Sequence, residues 1–164
     1  MNEPQLHERA AQPYLAIAAH VRTETDFRRA ADSGFPELFQ WLREHGVAPS
    51  GPLFIRYRLL DDEGQPREIE LAVPVGEGVA GDGRVRADVL PPGRWATLLH
   101  IGPYTSATAP DLAAARAALH DWAKERGVVL EGRVEHYIIG PVEEPDHSKW
   151  QTEIAYLTAG DAQS

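Results

Sequence analysis

The sequence contains no cysteine among its 164 residues. This absence excludes disulfide bonds, thiolate metal sites and a cysteine nucleophile. The chain also lacks an apolar run of the roughly 20 residues that a membrane-spanning helix requires, so no membrane contact is expected. The first residues show neither the basic nor the apolar segment of a secretory signal, and we therefore predict a cytoplasmic protein.

Positive charge is scarce: 16 Lys and Arg face 25 Asp and Glu, for a formal net charge of -9. Affinity for nucleic acid depends mainly on basic contacts to phosphate, so direct nucleic-acid binding is not expected. Hydrophobic residues make up 43% of the chain and charged residues 25%, which is typical of a globular domain. The length is sufficient for one compact domain with a substantial core.

No pattern for a metal or a cofactor is found. The seven histidines are scattered without the spacing of metal ligands. Gly76, Gly78 and Gly81 spell G-x-G-x-x-G, but DGRVRADVLPPG follows and has no helical pattern. A dinucleotide site needs a helix that begins at this point. We therefore interpret this segment as a connector and expect neither metal nor cofactor.

Two stretches about 80 residues apart resemble each other, which is the pattern of an internal repeat. FQWLREHGVAPSGPLFIRY matches HDWAKERGVVLEGRVEHY and aligns Trp41 with Trp122. EIELAVPV matches TEIAYLT and aligns Glu70 with Glu153. The features follow in the same order in both halves. A duplication explains this order best.

The repeat predicts the domain organisation. We expect one domain over residues 12–158, with copies at about 12–76 and 93–158. Residues 1–11 and 159–164 are expected to be flexible termini. Each copy reads as a strand–helix–strand–strand unit, so the fold class is α+β with antiparallel sheets and helices on one face. The opposite face is predicted to form a ligand cleft at the pseudo-twofold axis between the copies.

Periodicity predicts the individual elements. The helix of the second copy begins near Thr108 with Pro110 in its first turn, and Gly127 lies where a helix ends. In the first copy the same argument, in weaker form, runs from Ser33 to Gly46. The predicted strands cover residues 14–22, 53–60, 68–75, 95–101, 134–139 and 150–157.

Two carboxylates are predicted on the ligand side of the sheets. Because side chains alternate along a strand, a core position for Ile69 and Leu71 directs Glu70 to the opposite face. The alignment predicts the same for Glu153. A carboxylate among aromatic rings suits a flat organic cation, since each ring adds about 0.5 to 2 kcal/mol and the carboxylate neutralises the buried charge. The candidate aromatic lining consists of Tyr57, Tyr137, Trp95, Tyr104 and Trp150.

Structural roles are the alternative for these residues. Any one of the aromatic side chains could belong to the core or to a half-buried rim, where Trp and Tyr are common. Packing is the expected role of Trp41 and Trp122, which have core spacing on their helices. On its strand position alone, a solvated carboxylate is the favoured interpretation of Glu153.

The stretch HIGPYTSATAPDLAAARAALHDWAKERG resembles the second half of the GyrI-like domains, also called AraC-type effector-binding domains. EHYIIGPVEEPDHSKWQTEI resembles their following strand, loop and glutamate-bearing strand. The most specific parts are His100–Tyr104 and the cluster of Trp150, Thr152 and Glu153. The first copy departs from the pattern, because VRTETDF stands where a G-P-Y would fall. Ligand contacts from that loop are therefore in doubt.

This resemblance implies a pocket between the two copies that accepts hydrophobic, often cationic compounds. It also implies that Glu153 contacts the ligand, with aromatic neighbours. Most members of the family are fused to DNA-binding modules, so a sensing role here would require a separate regulator as partner. A minority of stand-alone relatives resemble hydrolases that open strained cyclopropane rings of DNA-alkylating natural products.

Three functions follow as hypotheses. The favoured one is a small-molecule-binding protein that acts by sequestration or sensing. The second is a hydrolase in the same pocket, with Glu153 as general base or electrostatic partner and Tyr137 or Tyr104 as proton donor. The third is a protein-binding role, such as modulation of gyrase through the acidic surface.

Overall fold

The computed structural model describes residues 3–60, 66–102, 110–139 and 144–159. The chain divides into two compact units, and we call Ala11–Pro91 the N-terminal unit. The C-terminal unit combines Met1–Ala10 with Pro92–Ser164. The elements follow in the order β1 (Gln5–Arg9), β2 (Gln12–His20), α1 (Glu24–His45), β3 (Phe54–Leu60), β4 (Pro66–Pro74), β5 (Val85–Leu90), β6 (Gly93–Ile101), α2 (Pro110–Glu125), β7 (Val129–Ile139), a short 3-10 helix (His147–Lys149) and β8 (Gln151–Ala159).

The N-terminal unit is an antiparallel sheet with one helix on one face. Its strands lie in the order β3-β4-β2-β5. Leu15, Ile17 and Val73 of the sheet form a buried cluster with Leu38 and Leu42 of α1. Alternation along the strands therefore places the apolar half of β2 and β4 under the helix and leaves the other face without a helix.

Helix α1 begins nine residues before the predicted start at Ser33. Thr23 caps it, since its Oγ1 accepts a hydrogen bond from the backbone N–H of Asp26 at 3.0 Å. Pro36 lies inside the helix, although proline usually marks a first turn. The predicted start was wrong, because Ser33 lies inside the helix, where its hydroxyl donates to the carbonyl of Arg29 at 2.9 Å. The predicted end at Gly46 is confirmed, with a left-handed φ of 66°.

The C-terminal unit has a sheet in the order β1-β6-β8-β7, also antiparallel. Helix α2 covers one face through Leu112, Ala115 and Leu119. These side chains pack on Ala96, Leu98, Ile154 and Tyr156 of the sheet. Thr108, the predicted cap, lies outside the described residues. Each unit contains a strand–helix–strand–strand segment whose last strand, β4 or β8, lies between the other two strands. A fourth strand, β5 or β1, pairs with the first strand of the segment.

The two flanking strands were not predicted. Residues 1–11 were expected to be a flexible terminus, whereas Gln5–Arg9 form β1 and pair with β6. Likewise, Val85–Leu90 form β5 inside the connector and pair with β2. Both strands expose most of their side chains. They are held by backbone hydrogen bonds to a neighbour, which a hydrophobic pattern does not reveal.

A β-bulge in β7 decides which of its side chains face the helix. The pairing with β8 shifts between Glu131 and Val134, and Gly132 has a φ of 65°. An extra residue in a strand reverses the alternation of all residues that follow. As a result, Glu135 lies on the face that α2 covers and His136 on the opposite face.

The α+β fold class is confirmed, with antiparallel sheets and one helix on each. Duplication of the units and a cleft between them stay predictions. Neither of the two helices in the described residues is long and apolar enough to span a bilayer.

Candidate functional site

Glu153 lies near the middle of β8, on the face of the C-terminal sheet that α2 leaves uncovered. Its neighbours Thr152 and Ile154 are fully buried on the helix side. Two cationic or potentially cationic side chains contact its carboxylate. Arg9, the last residue of β1, donates a hydrogen bond from its guanidinium to Oε2 at 2.8 Å. Nδ1 of His136, which pairs with Glu153 across the strands, lies 3.3 Å from Oε1.

These contacts keep the Glu153 carboxylate ionised. Burial by itself favours the neutral acid, because only 20% of the side chain is exposed. The contact with His136, together with the hydrogen bond and the charge of Arg9, outweighs burial and lowers the pKa of Glu153 to about 2. The site therefore carries a fixed negative charge that a guanidinium already neutralises.

Trp95 is the predicted aromatic residue that shares this face. It alternates with Ala96 along β6, and Ala96 packs under α2. Trp95 pairs with Leu157, four residues along β8 from Glu153. The indole is 5% exposed. Glu153 and Trp95 thus combine an ionic and an aromatic group on one side of the sheet.

Two predicted tyrosines lie on helix-covered faces. Tyr137 pairs with the buried Thr152, and its hydroxyl donates to Oε1 of Glu135 at 3.3 Å. Tyr57, in the N-terminal unit, stacks on Phe27 of α1 with ring centroids 6.2 Å apart. The structure therefore does not bring Tyr137 to Glu153, and it gives Tyr57 a packing role.

The last two predicted aromatics contribute little to the described site. Trp150 directly precedes β8, is 8% exposed and donates from its indole to the carbonyl of Glu144 at 2.7 Å. This bond holds the segment before the strand. Tyr104 lies outside the described residues. Trp41 and Trp122 pack against the two helix-side cores, as expected.

Glu70 occupies a similar place in the N-terminal unit. It lies on the helix-free face, between Ala18 and Arg56 in the strand pairing. The hydroxyl of the fully buried Tyr14 donates to Glu70 Oε1 at 2.5 Å and accepts from Arg56 at 2.8 Å. Burial, followed by the neighbouring Glu70 carboxylate, raises the pKa of Tyr14, so its proton stays in place. Phe54 packs edge-on against the Tyr14 ring.

The N-terminal unit also contains an open cavity of about 410 Å³ beside Tyr14. Glu77 and Asp88 supply two carboxylates to its lining, and Val79 and Val89 supply hydrocarbon. Acidic and apolar groups together suit a small organic molecule that carries an amine. Among the residues that the structure describes, no three His, Asp or Glu side chains converge as metal ligands would.

Sequence reasoning missed the partners of both glutamates, namely Arg9, His136, Tyr14 and Arg56. It also missed Glu135, a completely buried carboxylate that lies 3.1 Å from the guanidinium of Arg116 and 3.7 Å from that of Arg133. The bulge in β7 shifts the register of this strand by one residue, so the pairing of His136 with Glu153 cannot be predicted unless the bulge is known. No sequence signal connects Arg9 with Glu153, which lies 144 positions away.

Solved structures resemble this chain over almost its full length. The C-terminal domain of EcmrR is 20% identical, with a TM-score of 0.82 and coverage of 96% of this chain and 98% of that one. In the EcmrR–DNA complex the match covers 95% of this chain and 57% of the longer protein, with a TM-score of 0.79 and 20% identity.

Two further structures are more distant. SAV2435 bound to tetraphenylphosphonium is 14% identical, with a TM-score of 0.64 and coverage of 98% of this chain and 96% of that one. A hydrolase from Listeria innocua is 12% identical, with a TM-score of 0.64 and coverage of 96% and 92%. At these identities the likeness shows a shared fold.

The family follows from the sequence itself. No curated protein matches the chain significantly. The model of the GyrI-like small molecule binding domain matches residues 2–156, which is nearly the whole sequence. This chain therefore belongs to the GyrI-like small-molecule-binding domain family.

Proposed function

We propose that this protein binds hydrophobic aromatic small molecules that carry a positive charge, with Glu153 as their ionic anchor. The observation that carries the proposal is the half-buried, ionised Glu153 carboxylate on the helix-free face that also holds Trp95. A cation near such a carboxylate gains electrostatic energy that bulk water screens. SAV2435, which shares the fold, was solved with tetraphenylphosphonium, a hydrophobic cation.

Two observations favour binding over hydrolysis at this site. A carboxylate whose pKa is held at about 2 is a weak general base near neutral pH, because base strength falls with pKa. Tyr137, one of the two expected proton donors, lies on the opposite side of the sheet from Glu153. A hydrolase at this site would therefore require a proton donor other than Tyr137 and a stronger base than Glu153, or would use Glu153 as an electrostatic partner only. Sequestration or sensing of the ligand is the role we propose.

A dye titration tests the anchor. We expect a rhodamine methyl ester, which is a planar cation, to bind the protein with a rise in fluorescence polarisation. Glu153→Gln should weaken this binding at least about tenfold, since a charge-assisted contact contributes about 1.5 kcal/mol or more. Glu131→Gln is the matched control, because it removes an exposed carboxylate from β7 of the same unit and should leave binding unchanged.

Equal affinity of wild type and Glu153→Gln for the dye would remove Glu153 from the site. The enzyme alternative has its own assay, in which a cyclopropane-containing alkylating natural product is incubated with each variant. Turnover by wild type and by Glu131→Gln, but not by Glu153→Gln, would favour a hydrolase. Binding without turnover supports sequestration or sensing.

A further inference from the structure

Arg9 already occupies the position that an incoming cation would take. Its guanidinium is 2.8 Å from Glu153 Oε2, whereas Oε1 is 3.3 Å from the His136 ring. The Arg9 side chain is 32% exposed and the Glu153 side chain 20%, so the pair is only partly hydrated. A ligand that has only a positive charge must compete with Arg9 for the carboxylate.

Displacement of Arg9 has a cost that depends on the ligand. A displaced guanidinium loses a charge-assisted hydrogen bond and keeps a partly buried positive charge next to the new cation. Two like charges in one site repel each other. A ligand that also carries an anionic group offers Arg9 a new partner, and both charges of the original pair are then satisfied.

We propose that Arg9 determines the specificity of the Glu153 site and selects ligands that carry a carboxylate or similar anion beside their cation. The proposal rests on the proposed function, since both require the ligand to reach Glu153. It narrows the ligand class from hydrophobic cations to zwitterionic aromatic compounds. The exposed ion pair between Arg94 and Glu8 in the same unit, with Nε and Oε2 3.2 Å apart, has no such role and provides the matched control.

A pair of dyes that differ in one methyl group tests the inference. The rhodamine methyl ester is a cation, and the same rhodamine with its carboxyl group free is a zwitterion. We expect wild type to bind the zwitterion about fivefold more tightly than the cation, the ratio that corresponds to a partner worth about 1 kcal/mol. In Arg9→Gln the order should reverse, because the cation then meets no competitor and the dye carboxylate has no partner.

Two further variants complete the test. Arg94→Gln should retain the preference of wild type, and Arg9→Lys, which keeps the positive charge, should retain its direction. Circular dichroism spectra establish that each variant is folded. Equal binding of both dyes to wild type, or an unchanged ratio in Arg9→Gln, overturns the role of Arg9 even if Glu153→Gln weakens both dyes. If neither dye depends on Glu153, the proposed function fails, and this inference fails with it.

Discussion

At the scale of single residues, the surroundings of each carboxylate decide its chemistry. Glu153 and Glu135 lie on opposite faces of one sheet and both contact arginine. Glu153 is partly exposed, so a ligand that reaches this face of the sheet can contact it. Glu135 is completely buried between the sheet and α2, and its contacts with Arg116 and Arg133 serve the fold.

The titration of Glu153 should depend on Arg9. The folded-state pKa of about 2 lies below the ordinary value of 4.5, so the contacts of Glu153 stabilise the fold fully above pH 4.5. This contribution is lost as the pH falls through about 2. In Arg9→Gln the midpoint of the Glu153 titration, measured by carboxyl carbon NMR, should move upward toward the ordinary value. An unchanged midpoint would show that the ion pair is not formed in solution.

Removal of the buried carboxylate should be costly. Glu135→Gln leaves the guanidinium groups of Arg116 and Arg133 buried without their negative partner, which typically destabilises a fold by about 3–5 kcal/mol. Urea unfolding measures the loss. Glu131→Gln, in the same strand but exposed, should change stability by less than about 0.5 kcal/mol. Similar small effects for both variants would contradict a structural ion-pair cluster under α2.

At the scale of elements, one bulge determines which side chains of β7 face α2, and one cap determines where α1 begins. The bulge at Gly132 turns Arg133 and Glu135 toward α2 and His136 toward Glu153. The Thr23 cap starts α1 well before Ser33, where the sequence pattern predicted its beginning. Both features depend on local backbone geometry, which hydrophobic periodicity reports poorly.

Substitution of Gly132 should show the cost of the bulge. An alanine at a φ of 65° loses about 1–2 kcal/mol, because its Cβ crowds the backbone in the left-handed region. No neighbouring atom lies within 4 Å of a Cβ built at this position, so the loss measures backbone strain alone. Gly76→Ala is the control, since that site is equally open and has no positive φ. Urea unfolding measures the stability of both variants. Equal free energies of unfolding for Gly132→Ala and Gly76→Ala would contradict the left-handed backbone at the bulge.

At the scale of the whole molecule, each unit has four antiparallel strands, one helix and its own core. In each unit one outer strand lies outside the strand–helix–strand–strand segment in the sequence. These strands, β1 and β5, pair with one neighbour only and expose most of their side chains. The free energy that holds them is therefore smaller than that of the inner strands.

The rates of amide hydrogen exchange should reflect the weaker attachment of the outer strands. Local opening exposes weakly held strands first, so backbone amides of β1 and β5 should exchange faster than those of β6 and β2. Exchange followed by mass spectrometry or NMR at neutral pH resolves the four strands. Equal protection of β1 and β6 would indicate that the two strands open together. In that case Arg9 would be held as firmly as the sheet core.

Local patterns in the sequence determined much of this protein. Alternation in EIELAVPV placed Ile69 and Leu71 under the helix and Glu70 on the other face, because the pleat of a strand is a local property. Pro110 and Gly127 predicted the two ends of α2 for the same reason, because caps are also local. The family was also apparent in the sequence, from its motifs around His100 and Trp150.

Only the tertiary structure decided what surrounds Glu153. Arg9 is 144 positions away and reaches it because β1 pairs with β6, a contact made through backbone hydrogen bonds that any sequence can form. His136 reaches it because a bulge shifts the pairing of β7 by one residue. Long-range pairing and register depend on the free energy of the folded sheet, and no short stretch of sequence contains that information.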